Sequence, residues 1–464
     1  MAATTLLLAS ILLASPQVQS QTEFDQRMDR LFAASKVPGA VIRMVKDGKT
    51  VYERSFGMAD EEKKTPVTGK MAFEIGSLSK QFVAVAALQL VQAGKLRLSE
   101  KVGDIVPTLP EAWKGATLDQ VLHHMSGIPD YEEIATYDFY NLPRKPQEII
   151  DQAMKKEPAF KPGEKFEYTN TGYFLISMVV EKRAGMPLAQ YMKSRLFEPL
   201  GMNSTFTDAK PESVTAMRGY HSRSGIRVAQ PSIAWTSTLG AGGIVSTLDD
   251  MAKWDEALYG DKLIPKDLLA KIWTPTKLNS GQTNTYGFGW VVGSFRGLKE
   301  LNHSGQTNGF TCVYRRFPDQ HTTVLAACNT YDGNVFGVAR AASIRYVPGL
   351  NYAALPISDK QDGDQLKKHF DLVRSACNGA ASDLMMPGIR DFTTAARFAE
   401  TRKELLGYLN SSNDLKFVRV ITRTTSSGVQ VKDYLYRQAV SGGVKFWTVG
   451  FAGDQMAGLL VEDE

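Results

Sequence analysis

Two side chains that could act as a nucleophile and its base, Ser77 and Lys80, stand three residues apart at the start of an apolar run that ends near Gly94. A serine hydroxyl needs a base within hydrogen-bond reach, and a lysine kept neutral by burial can be that base. Residues three apart share one face of a helix, whose N-terminal N–H groups can bind an oxyanion. The spacing is therefore suited to acyl transfer. Because serine and lysine are common residues, this interpretation depends on the other motifs of the chain.

Two further short motifs follow, Tyr168-Thr169-Asn170 and His303-Ser304-Gly305. Alone, the first is typical of a packed tyrosine beside a turn asparagine, and the second of a structural histidine. Acyl transfer requires a nucleophile, a base, an acid for the leaving group and an oxyanion site. The three motifs taken in order could supply these groups.

In that order the motifs resemble those of the class C β-lactamase and serine hydrolase family, which also contains D-aminopeptidases, DD-carboxypeptidase-like proteins and esterases. The resemblance covers roughly Phe24 to Tyr346 and includes other stretches that look like family landmarks. These stretches are residues 124–129, 162–163, 168–173, 199–202, 242–243 and 286–290.

The resemblance implies a role for each matching residue. Ser77 would be the acylated nucleophile and Lys80 its proton acceptor. Tyr168 would relay protons to the leaving group and activate the deacylating water, and Asn170 would hydrogen-bond the amide or carbonyl of the substrate. The backbone N–H groups of Ser77 and Gln306 would form the oxyanion hole.

His303 is the departure from the family pattern, which usually has a lysine at this position to contact the tyrosine and a substrate carboxylate. An unperturbed histidine is mostly neutral near pH 7, whereas a lysine is charged. We therefore expect a weak β-lactamase that turns over uncharged short-chain esters or amides better.

The elements that must position these residues follow from the apolar pattern. Residues 81–91 are apolar almost all round, which predicts a helix buried in a large core. Residues 40–46 and 50–54 predict a hairpin turned at Asp47-Gly48, and residues 309–317 and 322–328 predict two more strands. The expected fold class is α+β, with a central antiparallel sheet built from N- and C-terminal strands and flanked by helices. The resemblance adds a helical subdomain of the β-lactamase/transpeptidase-like kind.

The chain divides into four predicted parts: a signal peptide (1–20), a serine hydrolase domain (21–347), a linker (348–362) and a small α+β module (363–464). The apolar core at residues 5–14 is too short to span a bilayer and predicts export to the periplasm or medium. No later stretch reads as transmembrane. In the module we expect two helices, at 365–377 and 393–409, followed by alternating strands.

Composition narrows the function classes. A charge of +5 over 464 residues, with 43% hydrophobic and 22% charged residues, is that of a globular protein and gives little support to nucleic-acid binding. We predict no cofactor and no metal, because His123-His124 lacks a metal-ligand motif and indicates packing or solvent exposure.

Three cysteines do not form a disulfide framework; Cys312 and Cys328 are either one bridge or buried thiols. The partner expected is a small-molecule or peptide substrate, and the oligomeric state is open.

Two other functions compete with an exported serine hydrolase acting on an amide or ester. A Ser-His-Asp hydrolase of the α/β type would need a Gly-x-Ser-x-Gly elbow, which the chain lacks. A penicillin-recognising binding or sensor protein that is acylated and then stalls is the alternative.

Overall fold

The computed structural model describes residues 20–463 except 136, 209, 224–225, 426–428 and 441–442. The described chain forms two compact units: residues 28–350 with 422–430, and residues 351–421 and 431–463 with 20–27. Residues 1–19 of the predicted signal peptide lie outside the described residues. No helix among the described residues is long and apolar enough to cross a membrane.

The larger unit contains a seven-stranded antiparallel sheet and several short strand pairs. Its strands are β1 Gly39–Lys46, β2 Lys49–Asp60, β3 Thr65–Pro66, β4 Phe73–Glu74, β5 Gly219–Arg223, β6 Ile226–Gln230, β7 Val245–Ser246, β8 Thr276–Lys277, β9 Thr283–Asn284, β10 Val291–Phe295, β11 Leu298–Thr307, β12 Phe310–Phe317 and β13 Thr322–Cys328.

The order of the seven-stranded sheet is β10-β11-β12-β13-β1-β2-β3. Strand β1 pairs with β2 on one side and with β13 on the other, where Ala40 faces Cys328. Strands from the two ends of the unit therefore meet in the middle of the sheet, which confirms the predicted antiparallel sheet. All but the last residue of β1 are buried, as expected for a central strand covered on both faces.

The longer helices of the larger unit lie mainly between β3 and β10 of the seven-stranded sheet. Up to residue 350 the helices are α1 Gln21–Ser35, α2 Ser79–Gln92, α3 Val102–Ile105, α4 Glu111–Lys114, α5 Leu118–Leu122, α6 Pro146–Ala153, α7 Asn170–Ala184, α8 Leu188–Met192, α9 Glu198–Leu200, α10 Trp235–Thr238, α11 Leu248–Ala257, α12 Lys266–Lys271 and α13 Phe336–Tyr346.

Helix α2 is the predicted buried helix, and it is buried continuously from Ser79 to Leu88. Alanine and leucine favour the helical conformation, and the small alanines let α2 pack closely against α7. Phe82 stacks on Trp254 with ring centroids 4.0 Å apart, while Trp254 Nε1 donates to Gln81 Oε1 at 3.1 Å. Burial on all sides holds the N-terminus of α2 in one place.

The smaller unit combines helices α14 Gly363–Cys377, α15 Pro387–Thr394 and α16 Ala399–Ser411 with a four-stranded sheet. The strands, in sheet order, are β14 Leu415–Thr424, β15 Gln430–Val440, β16 Gly443–Ala452 and β17 Gln455–Asp463. Phe370 packs edge-on against Trp447 in a separate apolar core. Tyr352, within the predicted linker, is also buried, and lies 5.8 Å from Phe446 between ring centroids.

The single helix predicted over residues 393–409 is wrong, because the structure divides it between α15 and α16. Ala395 is extended at the break (φ −71°, ψ 134°). The Arg402 guanidinium donates to the carbonyls of Phe392 (2.7 Å) and Ala395 (2.9 Å). These bonds satisfy carbonyl oxygens at the end of α15 that have no partner within the helix. The donor lies on the next helix, so the helix propensity of residues 393–409 alone does not predict this cap.

We predict that a chain ending at Leu350 folds and that its Ser77 still reacts with a fluorophosphonate. The reason is that the larger unit has its own apolar core. The measurements are circular dichroism, thermal unfolding and labelling by a fluorophosphonate, with the full-length chain as control. Truncated protein that is insoluble or unreactive while the full-length chain reacts would contradict the prediction.

Candidate active site

The turn that carries Ser77 lies between β4 and α2, directly against the edge of β11. Gly76 within this turn has φ +51°, and a Cβ there would lie 2.5 Å from the backbone nitrogen of Gln306. A Cβ on Gly305 would lie 1.9 Å from the carbonyl oxygen of Ile75. Only glycine permits this approach of two backbones. The approach brings Gln306 beside Ser77.

Lys80 lies on the first turn of α2 with its side chain enclosed. Its Nζ contacts Ser77 Oγ at 3.0 Å, Asn170 Oδ1 at 2.6 Å and the carbonyl oxygen of Ala241 at 2.8 Å. The amide and carbonyl oxygens are acceptors and take two N–H groups. In the neutral amine, the remaining lone pair is then directed at the Ser77 hydroxyl. This arrangement suits a base for that hydroxyl.

Burial lowers the pKa of Lys80 to about 8, while the charges of Glu132 and Asp130 oppose the shift. The neutral amine loses less hydration free energy on leaving water than the ammonium does, so burial favours the neutral form. Lys80 is therefore about half neutral near pH 8 and still mostly protonated at pH 7.

Tyr168 completes the contacts of the serine. Its hydroxyl donates to Ser77 Oγ at 2.8 Å, and burial raises its pKa well above the ordinary range, so the phenol stays protonated at rest. The ring lies 4.4 Å from that of His124, whose Nδ1 accepts from the backbone N–H of Thr169 at 3.1 Å. His124 and His123 are both buried, which agrees with the packing alternative for this pair.

Asn170 is oriented by Asp130, a residue that the sequence reasoning did not single out. Asp130 Oδ2 accepts from both the backbone N–H and the Nδ2 of Asn170, each at 3.1 Å. These bonds direct Asn170 Oδ1 toward Lys80. The signal available was an acidic residue directly after the His124–Pro129 landmark.

His303 lies in the same site but contacts other groups than the family lysine was expected to contact. Its Nδ1 is 2.6 Å from the carbonyl oxygen of Ser304, which can only accept, so Nδ1 carries the proton. Its Nε2, 2.9 Å from the Tyr286 hydroxyl, must then accept. Burial, with a smaller effect from Lys80, lowers the pKa of His303 to about 4. At neutral pH the imidazole is uncharged and both of its nitrogens are engaged.

A cavity of about 680 Å³ opens over these groups. The predicted residues on its wall are Ser77, Tyr168, Asn170, His303 and Gln306, with Lys80 buried behind Ser77. The structure thus brings all six predicted site residues together. Sequence reasoning missed Tyr286, noted there only as the start of a landmark, and the Ala241 carbonyl, for which no side-chain signal exists.

The three cysteines are free and buried. Cys312 donates from Sγ to the carbonyl oxygen of Ile75 at 3.2 Å, just before the Ser77 turn. Within the described residues no group of three or more histidine, cysteine, aspartate or glutamate side chains could hold a metal ion.

Comparison with known proteins gives the family of the chain. Residues 24–348 match the family described as Beta-lactamase, and the chain belongs to that family. It is 32% identical to penicillin-binding protein 4* of Bacillus subtilis (strain 168), over 61% of this chain and 66% of that protein. It is 28% identical to the D-aminopeptidase of Gluconobacter oxydans (strain 621H), over 63% and 56% respectively. The chain thus spans less than two thirds of the length of these relatives.

Among solved structures, the fold is similar to the D-amino acid amidase of Ochrobactrum anthropi SV3 in complex with D-phenylalanine. The TM-score is 0.60 at 26% identity, and the match covers 69% of this chain and 97% of the amidase. The fold is therefore β-lactamase/transpeptidase-like, with a further small sheet module. The family is one of β-lactamase-like serine hydrolases.

We predict that His303 does not titrate between pH 5.5 and 8, because burial disfavours its charged form. The measurement is ¹⁵N chemical shifts of labelled histidines, with the His303 signals assigned by their loss in His303→Gln. The imidazole signals should move only toward pH 4. A midpoint near 6.5 would contradict the assigned tautomer and burial.

Proposed function

We propose that the protein is an exported serine hydrolase that acts on amides or esters through an acyl-enzyme at Ser77. The observation that carries the proposal is the 3.0 Å contact of Ser77 Oγ with an enclosed lysine whose other two contacts are acceptors. The proposal of export depends on the apolar segment at residues 5–14.

Acylation would begin with transfer of the Ser77 proton to Lys80. The Oγ would attack the carbonyl carbon of the substrate while the N–H groups of Ser77 and Gln306 hold the developing oxyanion. Collapse of the tetrahedral intermediate would break the bond to the leaving nitrogen or oxygen, which takes a proton from Tyr168. Lys80 would then return its proton to the tyrosine; its Nζ and the Tyr168 hydroxyl both contact Ser77 Oγ, at 3.0 Å and 2.8 Å.

Deacylation would use the same groups in the reverse direction. A water that enters in place of the leaving group would give a proton to Tyr168 while Tyr168 passes its own proton to Lys80, and the water oxygen would attack the acyl carbon. The bond between the acyl carbon and Ser77 Oγ would then break, and Ser77 Oγ would take back the proton held by Lys80.

The substrate class follows from His303. An uncharged imidazole with both nitrogens engaged has neither charge nor spare donor for a carboxylate. The proteins named D-aminopeptidase and D-amino acid amidase support an open-chain amide as substrate over the cyclic amide of a β-lactam. A penicillin-recognising protein that is acylated and stalls is the second candidate, supported by the relative named penicillin-binding protein 4*.

The first test concerns Ser77 and its base. Ser77→Ala should abolish both fluorophosphonate labelling and turnover, since it removes the attacking oxygen. Lys80→Ala should slow acylation by about a hundred- to ten-thousandfold, the usual effect of one positioned general base.

Intact-mass spectrometry measures the adduct, and the matched control is Ser304→Ala, which removes the hydroxyl of another serine of the pocket wall. An adduct that survives Ser77→Ala would refute the assignment. Labelling without turnover of any ester would favour the second candidate.

The second test concerns position 303. A lysine there should restore a charged contact to carboxylates, which is stronger than a neutral hydrogen bond by about 1 kcal/mol or more, or roughly tenfold in rate. The measurement is kcat/KM at pH 7 for a chromogenic cephalosporin and for p-nitrophenyl butyrate. His303→Lys should move the ratio toward the cephalosporin, whereas His303→Gln, which adds no charge, should not. Efficient cephalosporin hydrolysis by the wild type with negligible esterase activity would contradict the argument.

A further inference from the structure

Two apolar side chains on the wall of the active-site pocket are exposed to solvent. They are Phe166, which is 43% exposed, and Val291, which is 38% exposed. Single exposed apolar side chains are common on protein surfaces, but these two line the same cavity as Ser77. An apolar group of a ligand that displaces water from them is stabilised by the hydrophobic effect. The pocket wall thus presents an apolar surface to a ligand bound at Ser77.

The backbone is fixed on both sides of Phe166. The N–H of Gly163 donates to the carbonyl oxygen of Met125 at 2.8 Å. The N–H of Glu167 donates to the carbonyl oxygen of His124 at 2.9 Å, and the ring of His124 packs edge-on against that of Phe166. Because the ring is already held in place, contact with a ligand costs little further conformational entropy.

Tyr286 connects these two side chains with the Tyr168 hydroxyl group's side of the pocket. Its ring centroid lies 5.9 Å from that of Phe166 and 6.0 Å from that of Tyr168. Val291 pairs with Tyr286 in an isolated β-bridge, so it lies beside the same ring. Phe166, Tyr286 and Val291 therefore form one part of the pocket wall, which we call the apolar slot.

The apolar slot presents no charge to a ligand at neutral pH. Phe166 and Val291 cannot ionise, and burial raises the pKa of Tyr286 well above its ordinary value, so the phenol stays neutral. His303, whose ring centroid lies 5.7 Å from that of Tyr286, is uncharged because burial lowers its pKa. Moving a carboxylate from water onto such a surface is unfavourable, whereas an aromatic ring is stabilised there.

The position of Tyr168 assigns the apolar slot to one part of the substrate. In the proposed reaction Tyr168 gives its proton to the oxygen or nitrogen that departs from the acyl carbon, so this atom comes within hydrogen-bond reach of the phenol. The rings next to Tyr168 on the pocket wall include that of Tyr286, and Phe166 follows it. A group attached to the departing atom is therefore adjacent to the apolar slot.

We propose that the apolar slot binds an uncharged aromatic group on the leaving alcohol or amine of the substrate. The preferred substrates are then esters of aromatic alcohols, or amides of aromatic amines, without a carboxylate on the leaving part. This inference deepens the proposed function and rests on it. During acylation Ser77 Oγ bonds to the acyl carbon, the bond from that carbon to the leaving atom breaks, and the leaving atom takes the proton of Tyr168. Phe166 and Val291 take no part in these steps and act as specificity residues.

The test compares benzyl butyrate with methyl butyrate, whose alcohols have similar acidity and differ in the aromatic ring. Both esters give the same butyryl-enzyme, so a difference in kcat/KM arises before deacylation. At pH 7 the full-length wild type should prefer the benzyl ester by about ten- to a hundredfold, the range expected when a phenyl ring is removed from water. Phe166→Ser should lower this ratio by about fivefold or more, and Val291→Ser should lower it in the same direction.

Two controls separate the apolar slot from general effects. Phe336, 47% exposed and outside the pocket wall, is a similarly exposed phenylalanine, so Phe336→Ser should keep the wild-type ratio. Methyl 4-phenylbutyrate carries the ring on the acyl part instead, and its ratio to methyl butyrate should not change in Phe166→Ser. If Phe166→Ser does not fold, Val291→Ser decides by the same two ratios.

The inference would be overturned by a wild type that does not prefer the benzyl ester, or by a preference that persists in Phe166→Ser and Val291→Ser. A loss confined to the methyl 4-phenylbutyrate ratio would also overturn it, because it would place the apolar slot on the acyl side. If the acyl-enzyme stalls, the rate at which the butyryl adduct forms on Ser77, measured by intact-mass spectrometry, replaces kcat/KM. Failure of the proposed function is distinct, since Ser77 of the wild type would then not be labelled by the fluorophosphonate.

Discussion

The site depends on one constraint, the enclosure of the Lys80 amine. An ammonium without water needs an acceptor for each N–H, and a neutral amine needs one donor and two acceptors. The fold supplies two acceptors, Asn170 Oδ1 and the Ala241 carbonyl, from separate parts of the chain, and leaves the third position to Ser77. The helix that carries the lysine is buried on all sides, so the amine cannot turn away. Burial thus sets both the position and the protonation of this amine.

The same enclosure determines the charge of its neighbours. Lys80 adds to burial in lowering the pKa of His303 and of His124, so both imidazoles stay neutral around it. It acts in the opposite direction on Glu132, where it favours the carboxylate. The protonation of the groups around the cavity thus depends on burial first, with the charge of the enclosed lysine as a smaller contribution.

The sequence predicted which side chains lie together at the candidate site. Ser77, Lys80 and Tyr168 could be singled out because their types and order are distinctive, and the apolar run 81–91 predicted the helix that carries Lys80. Asp130 could not be assigned, because its role depends on a contact across forty residues with Asn170. The Ala241 carbonyl is a backbone group, so no residue type marks it in the sequence. The break between α15 and α16 involves bonds from Arg402 to the carbonyls of Phe392 and Ala395, which local helix propensity does not predict. Sequence patterns thus indicate local structure and motifs, while the orientation of side chains depends on distant contacts.

Whether an acylated Ser77 turns over or stalls depends on what acylation does to these contacts. An ester oxygen can no longer donate, so the Lys80 lone pair that received the Ser77 proton would lose its partner. In the proposed reaction the Tyr168 hydroxyl, which donates to Ser77 Oγ before acylation, would face the position that the leaving group vacates. A water entering there would find a phenol backed by a buried amine of lowered pKa, which is the combination that hydrolysis needs. Stalling would require the acyl group itself to keep that water out, so the outcome depends on the substrate.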